Sequence, residues 1–393
     1  MNYLIIATKY GDKKNKWLTN ELADVIKING NSVQVIALSW MQDDPGSSVK
    51  DEDGITVYRY KMPRVFYLDN VFVKYAKQVL FPIFAYYKYR KILSKITFER
   101  IITFSPAHLV SFLVKKLKKQ CVTQAYLVLW DFFPYYLQLS RKGSMFKFLL
   151  YFENESYKQF DCIGVMTAQN KDFLLKNYKG ILKHSVKVLP IWAKTNTVSY
   201  SSEIRKKYNL DERDIIFIYG GAHSEVQELD NLLELAKCFL GDMNIKFIFI
   251  GKGKDKARLQ EKTKKEKISN VKFLDFVPRG DYELLLKSCD IGLVSLSSRL
   301  TVPSFPSKSL DYMKCGLPII ASIDRATDYG IFLENNMKAG FFAFAGDIQS
   351  LKEVSLKLVN NKNLRRELGS NGRQYFEENH SVDKIYTLIN EHL

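Results

Sequence analysis

The sequence predicts an α/β protein made of two doubly wound domains in tandem. Three observations carry this reading. Short apolar runs alternate with helical periodicities through the first half of the chain. A polar break, Lys194-Thr195-Asn196-Thr197-Val198-Ser199-Tyr200-Ser201-Ser202, ends that alternation, which then starts again. Glycine-bearing turns follow the first two strands of the second half. Alternation of this kind argues for parallel sheets covered on both faces. At 393 residues the chain also exceeds one comfortable core, which suggests about two or three domains.

In order, Met1-Asn2-Tyr3-Leu4-Ile5-Ile6-Ala7 has no basic leader or cleavage site and reads as a first buried strand, not a signal peptide. Leu18, Leu22, Val25 and Ile26 share one side of a helix over 15–29. Further strands are expected at 33–38, 55–60, 100–104, 123–130 and 162–167, with helices at 71–93, 108–119, 146–159 and 170–178. After the break, strands fall at 215–219, 245–250, 271–274, 291–294 and 317–322, with helices at 228–240, 255–265 and 282–288. Three helical stretches close the chain. The domains are placed at 1–193 and 194–380, with a last helix over 381–393 expected to cross back to the first domain. Ligands of such sheets bind at strand carboxyl ends, and two facing sheets make an interdomain cleft.

Composition narrows the function classes. The net charge of +17 points to an anionic partner, whether nucleic acid, membrane or substrate. Cys121, Cys162, Cys238, Cys289 and Cys315 form no CxxC pair, which supports neither a zinc site nor a disulfide framework and fits a reducing cytoplasmic setting. No apolar stretch reaches the ~18–20 residues that span a bilayer.

The richest segment is Phe305-Pro306-Ser307-Lys308-Ser309-Leu310-Asp311-Tyr312-Met313-Lys314-Cys315-Gly316-Leu317-Pro318. It reads as a polar loop, a short helix, a glycine stop and the start of a buried strand. Lys308 and Asp311 stand three residues apart and share a face. The helix N-terminus attracts anions. Lys308 can hold a phosphate there while Asp311 accepts from hydroxyls, a combination that suits a sugar nucleotide. The plainer alternative is Ser307 as a cap on an ordinary surface helix. Gly220-Gly221 and Gly251-Lys252-Gly253 follow strands, where glycine lets backbone approach a phosphate; each is also compatible with a simple tight turn.

From Ile215 onward the chain resembles the retaining glycosyltransferases of family 4, of GT-B fold, and within them bacterial transferases of O-antigen, capsule and exopolysaccharide assembly. The resemblance rests on Tyr219-Gly220-Gly221 with Gln227, Ile250-Gly251-Lys252-Gly253, Phe276-Val277-Pro278-Arg279, Asp290-Ile291-Gly292-Leu293-Val294 and the 305–322 block. It implies that Asp311 holds the donor ribose, that Lys308 lies beside the diphosphate, that Phe276 and Val277 border the base, and that Gly220 and Gly221 pass under the phosphates. Two departures stand out. Pro303 occupies the place of the family's first glutamate, and Ala222 and Gln227 stand where many members carry arginine and lysine. Lys252, Arg299 and Lys308 are the candidate replacement cations.

In the first half, Trp130-Asp131-Phe132-Phe133-Pro134 resembles an Asp-Leu-Trp-Pro segment of the same subgroup. Asp131 can orient an acceptor hydroxyl or cap a following helix. Gly11 can bring backbone near the donor phosphates, and His108 reads as a cleft residue or a core histidine. Over 61–100, Lys74, Lys77, Lys88, Arg90 and Lys91 interleave with Phe66, Phe72, Phe81, Phe84, Tyr87 and Tyr89. That mixture suits an anionic membrane surface. Pro82 is expected to interrupt the helix there, and no nucleic-acid module is recognisable.

The resemblance implies a retaining transfer from a nucleotide-sugar donor, with UDP expected, to a lipid-linked or growing saccharide. The protein is expected to be peripheral on the inner face of the cell membrane. No Asp-x-Asp motif lies where a metal would be bound, so neither a metal nor any other cofactor is expected. The alternative is a catalytically silent binding subunit of a polysaccharide-assembly complex.

Overall fold

The computed structural model describes residues 1–12, 16–137, 141, 143–196, 199–200, 202–275 and 277–393. The chain divides into two compact units, 1–194 with 382–393, and 195–381. Each is an α/β unit of Rossmann-like character.

The first unit holds strands β1 (Asn2–Ala7), β2 (Ser32–Ser39), β3 (Ser48–Glu52), β4 (Ile55–Lys61), β5 (Arg100–Phe104), β6 (Gln124–Leu129), β7 (Cys162–Val165) and β8 (Val186–Val188). Their sheet order is β3-β4-β2-β1-β5-β6-β7-β8. All pairs are parallel except the antiparallel β3/β4 edge. The central strands are unbroken apolar runs because helices cover both faces. The core gathers Ile5, Val35, Ile102 and Val128, and is completed by Ile385 and Ile389 from the last helix, Val382–His392. That helix is also held by polar contacts. Asn390 Oδ1 accepts from Tyr3 Oη at 2.6 Å and from Arg100 Nη1 at 2.8 Å, and Asn31 Nδ2 donates to Tyr386 Oη at 2.9 Å.

The second unit holds β9 (Ile215–Gly220), β10 (Ile245–Ile250), β11 (Val271–Leu274), β12 (Ile291–Ser295), β13 (Ile319–Ile323) and β14 (Gly340–Phe344). The sheet is all parallel, in the order β11-β10-β9-β12-β13-β14. The chain winds outward from β9 to β11, then returns beside β9 and winds the other way. The switch point therefore lies between β9 and β12 at their carboxyl ends, where open α/β sheets bind ligands. In the first sheet the same reversal lies between β1 and β5.

Three strands escape the sequence reading. β3 (SVKDE) is a polar edge strand with exposed residues, β8 has three residues, and β14 lies beyond the last expected strand, 317–322. The polar break gives way at Ser202 to a short helix, Ser202–Lys207, that the sequence does not announce. The Val71–Leu93 helix runs through Pro82 without interruption. Among the described residues no helix is long and apolar enough to cross a membrane.

Candidate active site

Two turns at the switch point pack backbone against backbone. A Cβ on Gly251 would stand 1.9 Å from the Gly221 carbonyl oxygen, and one on Gly253 1.9 Å from the His223 carbonyl oxygen. Only glycine permits that approach, and Gly251 also sits at φ +146°. The turns continue the β9/β10 pairing, with Gly221 N–H donating to Ile250 O at 3.0 Å and His223 N–H to Lys252 O at 2.9 Å. Gly220 N–H donates to the buried Tyr312 hydroxyl at 3.1 Å, and Tyr312 donates to Leu293 O at 2.9 Å. The amides of Gly220 and Gly221 are thus engaged within the fold. These glycines bring the two turns together and leave the face beside them to side chains.

That face is occupied by Lys308. The Lys308–Cys315 helix starts at Ser307, which makes no side-chain cap bond, and stops at Gly316 in the left-handed region. Lys308 and Asp311 are both partly buried on it. Lys308 Nζ donates to Gln227 Oε1 and lies 4.7 Å from the centre of the Tyr219 ring. Gln227 Oε1 also accepts from Tyr219 Oη at 3.0 Å. Both of these contacts are neutral, and Lys308 forms no salt bridge among the described residues. Burial lowers it to about 7.

Asp311 is held differently. Arg279 forks onto it, Nη2 to Oδ1 at 2.5 Å and Nη1 to Oδ2 at 3.1 Å. Arg279 Nε also donates to Glu283 Oε1 at 2.8 Å, which Lys314 Nζ reaches at 2.8 Å. Each Asp311 oxygen keeps a lone pair for a hydroxyl donor. Burial alone would lower the Arg279 guanidinium, but the Asp311 carboxylate raises it on balance. Arg279 had no role in the sequence reading, although its i,i+4 spacing to Glu283 is visible there. Lys256 was also missed. It ties the β10 turn to β11 through Gly251 O (3.1 Å), Leu274 O (2.9 Å) and Asp275 Oδ1 (2.6 Å). Lys252 is exposed on the same turn, and Val277 is buried just before the Arg279–Lys287 helix. Phe276 lies outside the described residues.

In the first unit, Gly11 follows β1. Its N–H donates to Asn20 Oδ1 at 2.8 Å, and its carbonyl accepts from Asn20 Nδ2 (3.1 Å) and Arg59 Nη2 (3.0 Å). Arg59 is buried and forks onto Glu52, Nη2 to Oε2 at 2.9 Å and Nε to Oε1 at 3.2 Å. The Gly11 amide is therefore spoken for by a brace that sequence reasoning did not find. Asp131 follows β6, its N–H 3.3 Å from Ser105 Oγ. It caps no helix, because turns follow it and the next helix, Ser144–Tyr157, has Gly143 at its N-cap. Asp131 is exposed, yet desolvation by the surrounding protein raises its carboxyl. His108 is a core residue, its Nδ1 2.7 Å from Glu153 Oε2, an oxygen that also accepts the His108 amide at 3.1 Å.

The structure thus joins Gly220, Gly221, Gln227, Gly251, Lys252, Gly253 and Lys308 into one constellation in the second unit, with Asp311 one turn along the Lys308 helix and Arg279 reaching it from the Arg279–Lys287 helix. Gly11 and Asp131 belong to the first unit.

Residues 201–375 match the family model described as glycosyl transferases group 1. Among curated proteins the chain is similar to the uncharacterized glycosyltransferase MJ1178 of Methanocaldococcus jannaschii, 26% identical over 187 residues, covering 46% of this chain and 49% of that one. It is also similar to the putative colanic acid biosynthesis glycosyl transferase WcaI of Escherichia coli K12, 25% identical over 161 residues, covering 40% of this chain and 39% of that one. The chain spans about half the length of the first relative and less of the second. Similar solved structures include sucrose-phosphate synthase from Thermosynechococcus elongatus, at TM-score 0.74 and 16% identity over 100% of this chain and 98% of that one. Anabaena HepE in complex with UDP aligns at TM-score 0.69 and 15% identity over 100% and 99%. WaaG, a glycosyltransferase involved in lipopolysaccharide biosynthesis, aligns at 0.67 and 15% over 99% and 98%. At these identities the likeness is one of fold, and these neighbours are GT-B glycosyltransferases.

Proposed function

We propose that the chain is a retaining glycosyltransferase that moves a sugar from a UDP-sugar to a lipid-linked or growing saccharide during bacterial surface polysaccharide synthesis. One observation carries the reading. Lys308 is a partly buried cation whose contacts with Gln227 and Tyr219 are neutral, at a helix N-terminus beside the sheet's switch point, within the region that matches the group 1 transferases. Such a charge calls for an anion, and a diphosphate supplies one. The UDP and UDP-glucose complexes of HepE, and the roles of WcaI in colanic acid biosynthesis and WaaG in lipopolysaccharide biosynthesis, support the donor and the pathway class.

As the bond from the anomeric carbon to the phosphate oxygen breaks, negative charge gathers on the diphosphate. Lys308 and the helix N-terminus stabilise it. Asp311, oriented by Arg279, binds the ribose hydroxyls. Asp131 orients the acceptor hydroxyl. The new bond from that hydroxyl to the anomeric carbon forms on the face the phosphate leaves, and a phosphate oxygen takes the acceptor proton. No metal enters this scheme. Incubating the protein with a panel of nucleotide sugars and a lipid-linked acceptor, with products read by mass spectrometry, tests it. Absence of any glycosylated product across the panel would overturn it.

A second reading has its own support. Ala222 and Pro303 stand where related transferases carry an arginine and a glutamate, as a catalytically silent binding subunit would show. Release of free UDP from a UDP-sugar without acceptor separates the two, because a silent subunit binds and does not turn over.

The same proposal places the protein peripherally on the inner membrane face. The Val71–Leu93 helix is apolar on two sides. Lys77, Phe81, Ala85 and Tyr89 are buried, while Phe72, Val79 and Tyr87 are exposed on the opposite side, near the exposed Lys88, Arg90 and Lys91. Lys77 leaves the set of surface cations, since its Nζ donates to Trp40 O at 2.5 Å over the Tyr67 ring. Sedimentation with anionic vesicles at low salt tests this, and a protein left wholly in the supernatant would refute it.

A further inference from the structure

A cavity of about 360 Å³ opens in the second unit at the carboxyl ends of β12, β13 and β14. None of the residues assigned to the donor lines it. Its walls include Ser298, Leu300 and Thr301 after β12, Asp324 and Arg325 after β13, and Phe344 in β14. The volume is in the range of small-molecule sites, which start at roughly 300 Å³.

Two charged groups give the cavity its chemistry. Asp324 is 1% exposed. Its Oδ1 accepts the Ala326 amide at 2.7 Å, while its Oδ2 has no hydrogen-bond partner among the described residues. A buried acceptor left open carries its full desolvation cost, which a ligand hydroxyl would relieve. Desolvation accordingly raises the carboxyl. Arg325 is exposed, and its guanidinium carbon lies 4.0 Å from the centre of the Phe344 ring. It forms no salt bridge among the described residues, and Asp347 feels it only as a nearby charge. A guanidinium held against a ring keeps edge donors free to fork onto a carboxylate or phosphate.

We propose that this cavity binds a sugar that carries an acidic group, with a sugar hydroxyl donating to Asp324 and the anion held by Arg325. The idea rests on the glycosyltransferase reading only in expecting a saccharide, and it names the class that the second unit selects. Residues 296–307 run from this cavity to the start of the Lys308–Cys315 helix, so one loop serves both places. A uronate and a sugar phosphate share the required chemistry.

The test is a set of calorimetric titrations of the full chain with glucuronate, glucose 6-phosphate, glucose and inorganic phosphate, with UDP present in excess to fill the nucleotide site. UDP affinity is measured separately in each protein. The wild type should bind at least one acidic sugar about tenfold or more tighter than glucose and than phosphate alone. Glucuronate leading would identify a uronate, and glucose 6-phosphate leading a phosphosugar. The preference should vanish in Arg325→Met and in the cavity-filling Leu300→Trp, with UDP affinity unchanged in both. The proposal is overturned by equal binding of glucose, by phosphate matching its sugar ester, by acidic-sugar binding that survives Arg325→Met, or by no acidic-sugar binding where UDP binds. A wild type that fails to bind UDP sinks the donor reading instead, and the sugar titrations still decide the cavity.

Discussion

The loop after β1 and the turn after β9 each have a cation beside them, and the two cations live under opposite rules. The first is answered from within. Arg59, beside the Gly11 loop, has Glu52. In the second unit Lys308 has Gln227 and Tyr219, both neutral. A buried pair satisfies itself and fixes local geometry, whereas a buried lone charge costs stability until a counter-charge arrives. The difference teaches that the Gly11 loop holds its shape from internal contacts, while Lys308 is a charge without an answering carboxylate among the described residues. That asymmetry suits the proposal that Lys308 meets the diphosphate of a donor.

Substitutions can break this contrast directly. The largest effect should come from Lys308→Met. Turnover with any active nucleotide sugar should fall by roughly 10²–10³-fold, about 2.7–4 kcal/mol of transition-state stabilisation. Steady-state kinetics check it, and unchanged turnover would remove Lys308 from its role. The counterpart is Arg59→Met, which should cost about 3 kcal/mol of folding stability by leaving Glu52 unpaired beside the Gly11 loop. Urea denaturation reads that loss, and a variant as stable as wild type would show that the brace does not matter. Next is Asp311→Asn, which removes one of the two ribose acceptor oxygens and leaves Arg279 with Glu283 alone. The donor KM should rise about tenfold, ~1.4 kcal/mol, with kcat nearly unchanged. A fall in kcat alone would place Asp311 in the chemistry and not in binding.

The smallest effects sharpen the comparison through pH. The Lys308 ammonium sits near 7 in the folded protein against 10.5 ordinarily. The unfolded chain therefore binds more protons between those values, and stability should climb with pH from 7 toward 10.5 as the penalty is relieved. Below 7 the penalty is present in full. Lys308→Met should lose that slope and melt about 2–4 °C higher at neutral pH. UDP affinity should run the other way, weakening as pH rises above 7 because the diphosphate needs the charged amine. Matched melting curves and UDP titrations from pH 6 to 9 check both signs, and parallel trends would refute the linkage.

Legibility in the sequence followed the physics of each feature. Strands such as β1, β5 and β10 are buried on both faces, so their apolar runs announce them. β3 is a polar edge whose only signal is pairing with β4. The Lys308 and Asp311 spacing was visible because it lies within one helix. The partner of Asp311 was not, since Arg279 lies 32 residues away, and the Arg59 to Gly11 brace spans 48. Contacts of that range leave no local periodicity to read. Glycine positions were legible, and the pattern suggested backbone that comes close to a phosphate. The bonds that hold the Gly220 and Gly221 amides inside the fold were not legible, because their partners Tyr312 and Ile250 lie far along the chain.

The final helix, Val382–His392, completes the core around Ile5 and Ile102. During synthesis that core stays open until residues 382–393 emerge, by which point residues 195–381 are already all available to one another. The first unit thus completes its core after the second has every residue it needs, and a ribosome stalled before Val382 would leave the first exposed to proteases with the second already closed.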